Sequence, residues 1–101
     1  MPSATTYSFS ARLQRFEREK GWHYVAVPTE IGKPLEPLAD RGLIAVTVKV
    51  GASVWPTSLL PMGDGTHFIA LSAKVRARES LSFGDVVEVS FRTRARTSRN
   101  G

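Results

Sequence analysis

The sequence predicts an all-β domain, a small closed six-stranded barrel with one short helix near residues 74–80. Three observations carry this reading. Apolar and polar residues alternate through several short runs, most clearly in GLIAVTVKV at residues 42–50, and period two marks a half-buried strand. Gly, Pro and Asp-Gly steps punctuate the chain at short intervals, where turns are needed. The alternation then breaks once, between residues 74 and 80, in a stretch without Gly or Pro.

Taken in order, residues 6–16 alternate, with Tyr7, Phe9, Ala11 and Leu13 on one side and Ser8, Ser10, Arg12 and Gln14 on the other. The charged EREKG at residues 17–21 reads as a turn. WHYVAV at residues 22–27 is rich in aromatic and β-branched residues, as strands are, and Pro28 ends it by removing a ladder donor. Residues 29–40 hold Gly32, Pro34 and Pro37. They read as a loop with at most one short helical turn, anchored by Leu35 and Leu38, and loops this long are often functional. In residues 42–50, Ile44, Val46, Val48 and Val50 share one face. Gly51-Ala52 turns the chain into the strand at residues 53–60, where Pro56 argues for an edge or a bulge. Asp64-Gly65 supplies the positive φ of a hairpin turn before the strand at residues 66–73.

Residues 74–80 then read as one to two turns of helix with Val75 as the apolar anchor. Leu81 and Phe83 lead back to the core, Gly84-Asp85 turns the chain, and residues 86–93 form the last strand with Val87, Val89 and Phe91 inward. The short helix would plug the barrel end through Val75, Leu81 and Phe83, with Arg76 pairing with Asp85 or capping a nearby carbonyl. Closing the sheet removes exposed edges, which so valine-rich a chain would otherwise risk.

A chain of 101 residues is expected to be one domain. The reading is a barrel over residues 1–93 and a disordered basic tail over residues 94–101. There are no cysteines, so disulfides, thiolate nucleophiles and Cys-based zinc sites are excluded, and a reducing cytoplasm suits the chain. No targeting segment or run long enough to span a bilayer is visible. A soluble cytoplasmic monomer is the expectation. The net charge is +5, but Arg92, Arg94, Arg96 and Arg99 stand in the last ten residues with no acid beside them. The remainder is nearly neutral. Such an end can contact phosphates or simply stay solvated, and the solvated reading is preferred.

Part of the chain resembles a known element. LSAKVRARESLSFGDVVEVSF is similar to the core of the AbrB/MazE-like double-split barrels, with Leu71, Val75, Arg76, Leu81, Gly84 and Asp85 at matching places. Ser72, Glu79 and Ser80 stand where that pattern has proline, leucine and glycine. A wider resemblance rests on GWHYVAVP, GLIAVTVKVGASVWPTSLLPMGDGTHFIAL and the KVR to FGDVVEVSF end. Together they are similar to a small, mainly bacterial family called domain of unknown function 1905. Its members occur alone or ahead of an OmpD-associated, bacteriocin-protection-type segment. The resemblance implies a closed barrel of the double-split type within one chain and implies no activity.

The residues leave three functional readings. The first is a non-enzymatic binding module for a protein or a small anionic ligand. Its site would lie where the 29–40 loop crosses the barrel near Trp22, Tyr24 and Trp55, with Lys74 and Arg76 as anion-binding groups, since aromatics at a barrel mouth can form a ligand platform. The second is a nucleic-acid binder using Lys74, Arg76, Arg78, Arg92, Arg94, Arg96 and Arg99. On a helix Lys74 and Arg78 share a face and Arg76 points elsewhere, which divides the apparent patch. The third and least favoured is a small hydrolase built on His67 with Asp64 and Ser58, for which no nucleophile elbow is present. His23 and His67 show no recognised metal spacing, so no metal or cofactor is expected.

Overall fold

The computed structural model describes residues 5–17 and 22–94. Seven strands form one antiparallel system: β1 (Thr6–Arg12), β2 (Gln14–Arg15), β3 (His23–Val27), β4 (Ile44–Val50), β5 (Ser53–Pro61), β6 (His67–Ala70) and β7 (Val86–Thr93). Their order is β1-β7-β4-β5-β6-β3-β2. The helical pieces are α1 (Thr29–Gly32), a 3₁₀ segment (Lys33–Leu38) and α2 (Ala73–Arg78). The expected charged turn at residues 17–21 and the tail beyond Arg94 lie largely or wholly outside the described residues.

The fold is the predicted nearly closed barrel, with seven strands instead of six. The difference lies at Leu13. Alternation runs from Tyr7 to Leu13 and breaks at Arg15, which is exposed where an inward residue would fall, and the partner changes at the same place: Tyr7 faces Phe91 on β7, whereas Gln14 faces Tyr24 on β3. One bent strand therefore forms both ends of the sheet, and the bend closes the barrel. The corner is held reciprocally, because the Leu13 amide donates to the Asp85 carbonyl at 2.8 Å and the Gly84 amide donates to the Leu13 carbonyl at 2.8 Å. Arg12 Nη1 adds a bond to the Gly84 carbonyl at 2.8 Å. Gly84 has φ +92°, a conformation open to glycine at little cost.

β5 is shared in the same way. Most of its length pairs with β4, from Val50 opposite Ser53 to Ile44 opposite Leu59. Only its last two residues reach β6, through Leu60 opposite Phe68 and Pro61 opposite His67. The strands splay apart above that point. Pro56 sits on the singly paired part of β5, where a missing amide is tolerated, as the edge reading expects.

The core fills the space between the two halves. Leu13, Val25, Ile44, Val46, Val48, Leu59, Ile69, Val87, Val89 and Phe91 are buried. Tyr7 stacks on Phe91 with centroids 5.2 Å apart, and Phe9 meets the same ring edge-on. A second aromatic group forms on the opposite, outer face of β3 and β6, where Tyr24 stacks on Phe16 at 4.1 Å and Phe68 meets both edge-on.

Three expectations need correction. Residues 29–38 are helical rather than loop. Pro34 stands at the start of the 3₁₀ segment, where its missing N–H costs nothing, so the proline-rich composition did not forbid helix. Leu35 is buried, but Leu38 is half exposed, because the chain turns to extended backbone at Ala39 and Ala39 packs on the core instead. Phe83 does not plug the barrel. It is 62 % exposed, and the Arg15 guanidinium lies 5.5 Å from its ring centre.

α2 ends the β6 strand earlier than expected and begins one residue earlier, at Ala73. Ser72, the residue in place of proline, is its N-cap and accepts from the Val75 amide at 3.2 Å, the usual role of serine there. At the other end the Leu81 amide donates to the Arg76 carbonyl at 2.8 Å and the Ser80 amide to the Ala77 carbonyl at 3.3 Å. This pair of bonds is a Schellman motif. Ser80 accordingly has φ +56°, a conformation that glycine adopts most readily. Val75 is buried and Leu81 packs against the core, so these two residues do stopper the barrel end.

Candidate functional site

The splay between β5 and β6 opens a cavity of about 460 Å³, within the range of small-molecule pockets. Parity along each strand decides what lines it. On β5, Ser53, Trp55, Thr57 and Leu59 share the inward face, since each sits opposite an inward residue of β4. Leu59 joins the core, while Trp55 and Thr57 face the gap. Trp22 and His23 come from the start of β3, and Ala70 to Ala73 from the junction of β6 and α2. Arg76 of α2 completes the wall.

The walls have distinct chemistry. Trp55 is half-buried and packs on the core from one side, while Trp22 is 52 % exposed. Neither indole stacks on another aromatic ring among the described residues. Arg76 is partly buried and its Nε donates to the Leu71 carbonyl at 3.2 Å. That bond realises the carbonyl-capping alternative of the sequence reading; Asp85 instead accepts from the Ser82 amide at 2.8 Å. Leu71 is fixed in turn, its amide donating to the His23 carbonyl at 2.9 Å. The guanidinium is thus oriented through Nε. Its two terminal nitrogens make no hydrogen bond among the described residues.

The sequence-predicted group is divided. Trp22, Trp55 and Arg76 meet at this cavity. Tyr24 does not, because it sits on the outer face of β3, stacked on Phe16, with its hydroxyl 3.5 Å from Gln14 Oε1. Lys74 is exposed on α2 and is not part of the lining. The 29–40 segment does not cross this cavity either. It packs near His67, where a Cβ on Gly32 would lie 3.4 Å from His67 Nδ1. His23, Thr57 and Ser72 line the cavity and escaped the sequence reading. Parity in WHYVAV was the available signal: if Val25 and Val27 point inward, so does His23, and Tyr24 points out.

The other basic residues are dispersed. Lys74 and Arg78 lie exposed on one side of α2. Arg94, expected in a disordered tail, continues the β7 pairing through its amide to the Ala45 carbonyl at 2.9 Å. Its side chain bonds the carbonyls of Val46 at 3.1 Å and Thr57 at 3.0 Å. Arg92 is on the outer face of the barrel, by Lys49 and Thr47. Arg96 and Arg99 lie outside the described residues.

The Ser58, His67 and Asp64 combination is not assembled. His67 is buried at the inward face of β6, whereas Ser58 points outward beside inward Leu59. The Asp64 carboxylate accepts from the Thr66 hydroxyl at 2.5 Å and the Thr66 amide at 3.0 Å. These bonds, the hydroxyl's first, hold the Asp64 carboxyl below its ordinary range. Among the described residues no three His, Asp or Glu side chains are grouped to hold a metal ion. No helix of the described residues is long and apolar enough to cross a membrane.

Fold and site together define a small antiparallel barrel, closed by one bent strand and opened laterally by a mixed aromatic and cationic cavity. The profile of the family described as Domain of unknown function (DUF1905) matches residues 9–91, and the chain belongs to that family. No curated protein matches the sequence.

Proposed function

We propose that this domain is a non-enzymatic binding module that takes a small anionic ligand in the cavity between β5 and α2. One observation carries the reading: Trp22 and Trp55 share a 460 Å³ hollow with the guanidinium of Arg76. Two large indoles left partly outside the core offer apolar area with a polar handle. An arginine held by Nε presents a planar fork suited to an acidic group. A monomer in a bacterial cytoplasm is part of this reading. The barrel closes on its own first strand, and the absence of cysteine suits a reducing compartment.

Calorimetric titration of the full chain with acetate, benzoate and inorganic phosphate tests it. At least one of these should bind wild type and lose affinity for the Arg76→Gln variant. A short DNA duplex serves as the competing titrant. Duplex binding that falls steeply with salt, with no small anion bound, would replace this reading with nucleic-acid recognition.

A further inference from the structure

The cavity is lined by one guanidinium, one imidazole, two indoles and two neutral hydroxyls, and that inventory is selective. From it we infer that the ligand class is a planar aromatic monocarboxylate of one or two rings, an inference that rests on the small-anion reading above. The charge argument comes first. Arg76 is the one guanidinium among the lining residues, beside the imidazole of His23. One guanidinium balances one negative charge, and its terminal nitrogens form the paired donors that a carboxylate accepts side by side. A phosphate dianion entering the same hollow would leave a charge unmatched against Trp22, Trp55, Ala70, Leu71 and Ala73, and burying an unpaired charge is costly.

The shape argument is independent. Trp22 comes from the β3 side and Trp55 from the β5 side of the splay, so the two indoles flank the opening rather than stacking on one another. A flat ring between such walls gains offset or edge contacts that a puckered aliphatic ring of equal size cannot make. Thr57 and Ser72 add hydrogen-bonding capacity to the same lining. Ser72 Oγ accepts from the Val75 amide as the α2 cap and keeps its proton to donate, so the Thr57 and Ser72 hydroxyls are both able to read a ring substituent.

The test is isothermal titration of the full chain with four probes: naphthoate, its neutral carboxamide, cyclohexanecarboxylate and inorganic phosphate. Naphthoate should bind best. The carboxamide should bind roughly tenfold or more weakly, the loss expected when a charge-assisted pair is removed. Cyclohexanecarboxylate should be weaker than naphthoate by several-fold. Arg76→Gln should bring naphthoate and the carboxamide to equal affinity, and Trp55→Leu should bring naphthoate and cyclohexanecarboxylate to equal affinity. Because the carboxamide and cyclohexane arms use wild type, a variant that fails to fold does not spoil the experiment. Equal or tighter binding of phosphate or cyclohexanecarboxylate would overturn the aromatic inference while leaving the anion reading intact. Failure of all four probes would sink both.

Discussion

The Glu79 carboxylate receives the Ser53 hydroxyl at 2.6 Å, joining the end of α2 to the start of β5. Its other oxygen lies 3.4 Å from the Ala52 amide. Ser53 is fully buried, so this bond satisfies a hydroxyl that would otherwise be costly inside the barrel. Glu79 stands where the AbrB/MazE-like pattern has leucine, and in this fold its carboxylate faces the Ser53 hydroxyl. The bond also fixes one dimension of the cavity, because Trp55 follows Ser53 on β5 and Arg76 precedes Glu79 on α2.

Glu79→Ala should therefore destabilise the fold by about 1–3 kcal/mol, the cost of stranding a buried hydroxyl. Glu79→Ala combined with Ser53→Ala should recover part of that loss, since both partners are then gone. Urea unfolding of the two single variants and the pair gives the coupling directly. Gly51→Ala tests the same contact from outside, because a Cβ there would collide with Glu79 Oε1 and the residue has φ +58°. It should be destabilising as well.

Ser80→Gly should stabilise the protein. Ser80 holds φ +56° in the Schellman turn after α2, a conformation that an L side chain adopts at a cost and glycine adopts freely. The expected gain is about 0.5–1 kcal/mol, visible as a rise of several degrees in Tm. Ser80→Val should move Tm the other way.

Val75→Ala and Phe83→Ser separate the two apolar residues that flank the α2 turn. Val75 is 7 % exposed and Phe83 62 %. Val75→Ala should cost about 1–3 kcal/mol through lost burial, whereas Phe83→Ser should change stability by no more than about 0.5 kcal/mol. Denaturant midpoints decide it, and a large loss at Phe83 would mean that its contact with Arg15 matters more than its exposure suggests.

Asp64 gives a pH signature. Its folded carboxyl is held below the ordinary 3.8, chiefly by the Thr66 hydroxyl and then the Thr66 amide. A carboxylate depressed in the native state supplies stability that is present above its unfolded pKa and is lost as pH falls through the folded value. Wild type should therefore lose the Asp64–Thr66 contribution only below about pH 3.8, the ordinary value. Carboxyl carbon shifts followed by NMR should show Asp64 titrating below that value, and Thr66→Val should return it toward normal.

Much of this architecture can be read from residue order. Alternation located β4 and β7 nearly to the residue, and the break read at residues 74–80 located α2, which begins one residue earlier, at Ala73. Partner choice was less legible. Residues 7–13 keep parity and Arg15 breaks it, which marks where one face ends but not that the strand changes neighbours there; the reciprocal bonds of Leu13 with Gly84 and Asp85 show that. Helix in residues 29–38 was hidden because prolines count against helix; Pro34 is tolerated in the first turn of the 3₁₀ segment, whereas Pro37 stands inside it. Of the cavity, Trp22, Trp55 and Arg76 were legible as aromatic and cationic outliers. Thr57 was not, because a threonine at an inward strand position looks the same whether it faces a packed interior or an opening.

The bend at Leu13 has a consequence for biosynthesis. Tyr7 finds its pairing partner in Phe91, so the domain's first strand, once made, must wait for its seventh. Until then β1 travels with its ladder groups unpaired, and long-range pairing of this kind is intrinsically slow. Nascent chains halted before β7 should be open to proteases and prone to self-association, and release of the final strand should convert them to the resistant form in one concerted step.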